Sequence, residues 1–207
     1  IKIKDVAKLI ITFEEERVNR LPYSKLNLTE KKVEYTSEQL NAINSVEQSD
    51  KKINLIFGVT GSGKTEVYLN LIEKTIKQGK SVIMAVPEIS LTPQMLSQLR
   101  ARFKENVSIL HSGLSFGERF DEWWRLRSGE AKIAIGARSV IFAPVENVGL
   151  IVIDEQHDSS YDSENSPRYS TFEIAKFRSD YNNCKIVLGS ATPSVEVFLK
   201  AKNGEYG

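Results

Sequence analysis

The run Gly58-Val59-Thr60-Gly61-Ser62-Gly63-Lys64-Thr65 constrains this chain more than any other stretch. It follows the apolar run Ile53-Asn54-Leu55-Ile56-Phe57 and precedes Val67, Leu69, Leu71, Ile72 and Ile76. That order predicts a strand, a glycine-rich turn and a helix. Glycines let the backbone turn back without Cβ clashes, and the first N–H groups of the helix have no partner within it. A polyphosphate supplies one. Gly58, Thr60, Gly61, Ser62 and Gly63 are expected to cradle it, Lys64 to reach the β- and γ-phosphates as a point charge, and the Thr65 hydroxyl to face Mg²⁺. The plainer alternative is a glycine-rich turn beside a surface lysine. The set spacing of two glycines, a lysine and a hydroxyl between strand-like and helix-like segments favours the nucleotide.

Composition narrows the setting. With 207 residues, 41% of them hydrophobic, the chain can bury one sizeable core, or one core plus a small appendage. Its 28 Lys+Arg against 27 Asp+Glu leave a net charge of +1, so a nucleic-acid surface would have to be a local patch. The single Cys184 makes no internal disulfide and no cysteine zinc site, which predicts a reducing, cytoplasmic setting and no zinc here. No apolar run approaches the roughly 20 residues of a membrane span, so no membrane partner is expected. The start at Ile1-Lys2-Ile3-Lys4 and the end at Gly204-Glu205-Tyr206-Gly207 read as those of a piece of something longer.

Residues 1–34, rich in lysine and glutamate and broken at Leu21-Pro22-Tyr23, read as a linker or the tail of a preceding domain. Residues 35–207 read as one α/β unit. A helix capped by Thr36 or Ser37 runs through Leu40, Ile43 and Val46. Gln39 sits in its first turn, where an amide can pair with both the donor and the acceptor of an adenine edge; the alternative is a solvated glutamine. Further strands are expected at Ser81-Val82-Ile83-Met84-Ala85-Val86, Val107-Ser108-Ile109-Leu110, Lys132-Ile133-Ala134-Ile135 and Lys185-Ile186-Val187-Leu188, with helices between. One helix passes through Phe120, Trp123 and Leu126, and one of the adjacent Trp123 and Trp124 is expected in the core.

A second chemical landmark is Gly149-Leu150-Ile151-Val152-Ile153-Asp154-Glu155-Gln156-His157. Large apolar residues in a row mark a strand buried on both faces, and two carboxylates at its end are costly without a cation. Asp154 is expected to hold the water shell of Mg²⁺ and Glu155 to polarise the attacking water. His157 is expected to link this end to a neighbouring strand, or else to be a satisfied structural histidine; the hydroxyls of Ser190 and Thr192 in Gly189-Ser190-Ala191-Thr192-Pro193-Ser194 are expected to hydrogen-bond across to the acids or to a facing domain. Gly136-Ala137-Arg138-Ser139 offers a cation and a hydroxyl to a phosphate backbone, or carries an ordinary surface arginine. The polar stretch 158–178, carrying Tyr161, Arg168 and Tyr169, reads as a loop able to stack bases and contact phosphate, or as an ordinary solvated loop.

The P-loop, the Asp154-Glu155-Gln156-His157 box and Ser190-Ala191-Thr192 together resemble motifs I, II and III of superfamily 2 helicases of the DExH type. Val86-Pro87-Glu88-Ile89-Ser90-Leu91-Thr92, Leu110-His111-Ser112-Gly113-Leu114-Ser115 and Gly136-Ala137-Arg138-Ser139 extend the likeness towards the bacterial primosomal replication-restart helicases. The resemblance implies the first RecA-like lobe of a 3′-to-5′ DNA helicase that binds ATP and Mg²⁺ and acts on single-stranded and forked DNA. It implies primosome proteins, single-stranded-DNA-binding protein and the replicative helicase loader as partners. It assigns Gln39 to adenine, Lys64 and Thr65 to phosphate and magnesium, Asp154 and Glu155 to hydrolysis, Arg138 to the DNA backbone, and the stretch from Tyr161 to Tyr169 to coupling of DNA binding with hydrolysis. Gln156 stands where a glutamate is usual. An arginine finger belongs to a second lobe, so little or no hydrolysis is expected of this stretch alone. Another superfamily 2 translocase, or a non-catalytic nucleotide-binding module, stays open.

Overall fold

The computed structural model describes residues 34–207, so the expected linker over 1–34 lies outside the described residues except for Glu34. In chain order the strands are β1 (Ile53–Phe57), β2 (Ser81–Ala85), β3 (Val107–Leu110), β4 (Ile133–Gly136), β5 (Val148–Ile153), β6 (Asp162–Ser163), β7 (Tyr169–Ser170) and β8 (Lys185–Ser190). The helices are α1 (Ser37–Gln48), α2 (Lys64–Lys77), α3 (Pro93–Phe103), α4 (Phe116–Arg127), α5 (Thr171–Asn182) and α6 (Val195–Lys202). Six strands form one sheet in the order β1-β8-β5-β2-β4-β3, every pairing parallel; β6 and β7 form a separate antiparallel pair. This is the expected α/β lobe, a parallel sheet flanked by helices. No described helix is long and apolar enough to cross a membrane.

The continuous apolar runs are explained by two cores. Alternate residues of a strand face opposite sides of a sheet. Val82, Met84 and Val152 pack with Ile43, Val67, Leu71, Ile72, Leu99 and Phe103 on one face. Ile83, Ala85, Ile151 and Ile153 pack with Val140, Ile141, Ala175 and Val197 on the other. The central strands therefore need an apolar residue at nearly every position.

Local chemistry sets the helix ends. Thr36 caps α1 through a reciprocal pair: its hydroxyl accepts from Gln39 N, and its own N–H donates to the Gln39 side chain. At the other end the Lys185 ammonium donates to the carbonyls of Val46 (2.6 Å), Glu47 (3.0 Å) and Ser49 (2.8 Å). A cation on the last carbonyls complements both the unpaired acceptors and the helix dipole. Lys185→Met is accordingly expected to lower unfolding free energy by about 1–2 kcal/mol, measured by urea denaturation.

Helix α4 departs from expectation. Neither tryptophan enters the core: Trp123 and Trp124 are 41% and 45% exposed, and Phe116 and Phe120 also face outward. The buried face instead carries Asp121, Glu122, Arg125 and Leu126. The reason is the sheet edge. β3 has a neighbour on one side only, so part of its backbone needs partners elsewhere. The Glu122 carboxylate accepts from Ile109 N (3.1 Å), and Arg125 donates to Val107 O (3.3 Å) and to Glu105 O. Hydropathy alone would turn this helix the wrong way.

The polar stretch 158–178 is also shorter as a loop than expected. It is the β6–β7 hairpin and its flanks, and from Thr171 onward it is helix α5. Arg178, on α5, donates to the carbonyls of Ile141, Ala143 and Val145, fastening the helix to the segment after β4.

Candidate nucleotide and metal site

The sheet order decides what meets what. β8 lies between β1 and β5, so the glycine loop after β1, Ser190 at the end of β8 and the acids after β5 come side by side at the carboxyl ends of the strands, where open α/β sheets bind ligands. Gly58 N donates to Ser190 O (3.2 Å) and Gln156 N to Gly189 O (2.9 Å), stitching the three strand ends together.

The loop has the geometry of an anion cradle. Gly61 and Gly63 take left-handed φ values of 80° and 82°, and Gly63 is the cap from which α2 begins at Lys64. Lys64 is 9% exposed. Its ammonium donates to Gly58 O (2.8 Å) and Val59 O (3.3 Å) and lies 3.8 Å from Glu155 Oε1. A nearly buried cation is thus held on carbonyls of its own loop beside the open N-terminus of a helix. Phosphate oxygens fit both needs, offering Lys64 a stronger acceptor and the helix N–H groups an anion.

Asp154 is fixed from several directions. Its N–H donates to Ala85 O (2.9 Å), and its Oδ1 accepts from Tyr68 Oη (3.0 Å) and from Glu155 N (3.0 Å). Burial pushes its carboxyl above the ordinary range, and the Glu155 charge adds to that; the Tyr68 hydrogen bond and Lys64 oppose it. A carboxylate in this position fits a divalent cation. Among the described residues no three His, Cys, Asp or Glu side chains gather as a metal cage. Mg²⁺ takes one or two carboxylates together with phosphate oxygens and water, and Asp154 offers it one carboxylate.

Glu155 has a positive φ of 45°, an uncommon conformation for a side chain of its size, which sends it back towards Lys64. Its Oε2 lies 3.6 Å from His157 Nδ1, and that nitrogen is hydrogen-bonded to Ser190 Oγ at 2.8 Å. Ser190 Oγ also accepts from Thr192 N (3.0 Å). His157, Ser190 and Thr192 thus lie together, the first two joined through their side chains and Thr192 through its backbone.

Other expected residues fall differently. The Gln39 amide is engaged at both ends, its oxygen by Thr36 N (3.0 Å) and its nitrogen by Gly63 O (3.3 Å), so it ties α1 to the cradle; pairing with an adenine would require these bonds to exchange. Arg138 donates to Asp162 O (2.9 Å) and lies 5.8 Å from the Tyr169 ring centroid, while Phe142 meets that ring edge-on at 4.9 Å. Ser139 and Arg168 are exposed, the latter donating to Glu164 O (3.1 Å). Tyr161, expected to offer its ring to a base, does not: it is 4% exposed and its hydroxyl donates to Asp154 O (2.6 Å), making it a prop beneath the acids.

Tyr68 and Gly189 stand outside the expected site residues. Tyr68 is fully buried and reaches Asp154 past Gly189, where a Cβ would coincide with its hydroxyl. The usable signal was its place one helical turn beyond Lys64, on the same face of α2.

Residues 36–199 match the DEAD/DEAH box helicase family. The chain is 46% identical over 196 residues to the replication restart protein PriA of Bacillus subtilis (strain 168), covering 92% of this chain and 24% of that protein. It is likewise 46% identical over 174 residues to PriA of Chlamydia trachomatis serovar D, covering 82% of this chain and 23% of the relative. The chain thus spans about a quarter of the length of these curated relatives. Its fold is similar to that of RecG bound to a three-way DNA junction (TM-score 0.60, 24% identity, 84% of this chain and 23% of that one). It is also similar to the UvsW helicase of bacteriophage T4 (TM-score 0.59, 15% identity, 99% and 76%). With its P-loop, acidic box and hydroxyl-bearing third motif at adjacent ends of one parallel sheet, the chain belongs to the DEAD/DEAH box helicase family as a RecA-like lobe.

Proposed function

We propose that residues 35–207 are the ATP-binding lobe of a bacterial 3′-to-5′ DNA helicase of replication restart, in which ATP hydrolysis drives movement along single-stranded DNA. The observation that carries this reading is the convergence of Lys64 and Glu155, 3.8 Å apart, with Asp154 at the same strand end. Phosphoryl transfer needs positioning and charge neutralisation more than covalent chemistry. In this reading Lys64 exchanges loop carbonyls for phosphate oxygens, and Thr65 and, through its water shell, Asp154 would hold Mg²⁺. Glu155 orients and polarises a water, and the bound metal would supply neutralisation of the phosphate charge.

The relatives named PriA, replication restart proteins by their names, support the biological setting. It comprises a cytoplasmic protein working on single-stranded and forked DNA with primosome proteins, single-stranded-DNA-binding protein and a replicative helicase loader. Arg138, Ser139, Arg168 and Tyr169 form the side chosen for DNA, because Arg138 bonds Asp162 O of the β6–β7 hairpin and lies near the Tyr169 ring, and Arg168 precedes that tyrosine with its guanidinium exposed.

The test is ATPase activity of a protein carrying both motor lobes, with and without single-stranded DNA. Stimulation by DNA and its loss in Lys64→Ala are expected; an unchanged rate in Lys64→Ala would sink the reading. The 207-residue chain alone is expected to bind nucleotide yet hydrolyse it slowly, because a transition-state arginine supplied from elsewhere is worth on the order of 10³–10⁵ in rate. Fast DNA-stimulated turnover by the chain alone would contradict that.

A further inference from the structure

Tyr68 belongs to the helix that leaves the phosphate loop, yet its hydroxyl ends on an acid two strands away. It is fully buried, and its neighbours on that face of α2 are Lys64, Leu71 and Ile72. The side chain crosses β8 at Gly189 and donates to Asp154 Oδ1 at 3.0 Å. The crossing requires glycine, because a Cβ at 189 would occupy the place of the hydroxyl and lie 3.0 Å from Asp154 Oδ1. A phenol buried this deeply stays protonated, since burial first, and then the charge of Asp154, oppose its ionisation.

We infer that Tyr68 is a positioning residue for the metal site: its hydroxyl clamps Asp154 Oδ1, through the gap left by Gly189, so that the phosphate-binding helix and the metal-holding acid are set in one fixed relation. The inference rests on the proposed nucleotide and magnesium reading of the site. Three observations carry it. The Tyr68 and Glu155 N–H bonds both fall on Oδ1, which fixes the plane of the carboxylate and leaves Oδ2 as the oxygen able to meet the water of a metal. The donor lies on the same helix as Lys64 and Thr65, one turn on, so any shift of the phosphate end is carried to the acid through one rigid element. A purely apolar role would be served by Phe or Leu, with no need for a glycine beneath the ring tip. Hydrogen bonds to a charged group are about twice as strong as neutral ones, and a supported ligand loses 10–100-fold in metal affinity when its support is removed.

The test uses the 207-residue chain, the variants Tyr68→Phe, Gly189→Ala and Asp154→Asn, and Val67→Ala as a control that loosens α2 without touching the acid. Affinity for a fluorescent ATP analogue is measured in EDTA and across a Mg²⁺ titration. Mn²⁺ binding in the presence of nucleotide is followed by electron paramagnetic resonance, and melting temperature is recorded for each protein. Tyr68→Phe is expected to bind the analogue in EDTA as the unmodified chain does, but to need about tenfold more Mg²⁺ or Mn²⁺ for half-saturation. Gly189→Ala, which displaces the hydroxyl without removing it, is expected to match that shift. Val67→Ala should lower the melting temperature and leave the metal requirement unmoved. If Tyr68→Phe leaves the metal half-saturation unchanged while Asp154→Asn raises it, Tyr68 only packs, and the inference is overturned with the site reading intact. If Asp154→Asn leaves it unchanged, the site reading fails and takes the inference with it.

Discussion

Glu155→Gln is expected to lower the DNA-stimulated ATPase rate of a protein carrying both motor lobes by at least about 10²-fold, the usual worth of a positioned acid or base. Affinity for Mg²⁺·ATP should stay within about threefold of wild type. The substitution keeps the shape of the side chain and its reach towards Lys64, 3.8 Å away, and towards His157 Nδ1, 3.6 Å away. It removes the charge that can polarise a water. Asp154, Lys64 and Thr65, which the proposal gives the metal and phosphates, are untouched. Single-turnover hydrolysis beside nucleotide binding separates the two effects, because loss of chemistry with retained binding marks an interaction made in the transition state. A variant that hydrolyses at the wild-type rate would remove Glu155 from the mechanism. One that loses nucleotide affinity in parallel would make it a structural partner of Lys64.

Glu122→Ala should unfold the lobe more readily than any surface change, lowering stability by about 3–5 kcal/mol, the usual cost of breaking a buried ion pair from one side. Glu122 is 1% exposed and Arg125 5%. Arg125 Nη1 lies 3.1 and 3.2 Å from the two Glu122 oxygens, and the same carboxylate accepts from Ile109 N. Removing it takes the Glu122 carboxylate away from a buried guanidinium and the acceptor away from the N–H of Ile109 on the edge strand. Removing Arg125 as well by Arg125→Met should therefore cost less than the sum of the single changes, an interaction that a double-mutant cycle in urea measures directly. Trp124→Ser, on the outward face of the same helix, is expected to cost less than about 1 kcal/mol. The reverse ranking would mean that α4 is turned the other way round.

The contrast on α4 shows where sequence reading stops. Periodicity says which residues share a face of a helix, and the convention that the apolar face points inward then chooses Phe120 and one of the two tryptophans. What overruled it is a property of the sheet: β3 ends up at an edge, and its unpaired backbone demands a carboxylate and a guanidinium. Nothing local to α4 carries that information. Tyr161 failed for a related reason. Its polar neighbours suggested an exposed loop, whereas the end of β5 left the carbonyl of Asp154 in need of a donor and drew the tyrosine inward. Gln39 was legible as a first-turn residue, but its reciprocal cap with Thr36 and its bond to Gly63 O emerge only when α1 lies against the loop.

By itself the sequence determined the phosphate cradle, the acidic box and the α/β alternation, because each is a local pattern. Glycine torsions, the order of strand, turn and helix, and apolar runs ending in acids are all written within about a dozen consecutive residues. Only the tertiary structure decided that β8 lies between β1 and β5. The pairing of β1 with β8 joins residues more than a hundred positions apart, as in Ile53 with Ile186, and buried apolar strands carry no mark of which neighbour they will take. From that order follow the approach of Lys64 to Glu155, the bond between His157 and Ser190, and the passage of Tyr68 over Gly189 to Asp154.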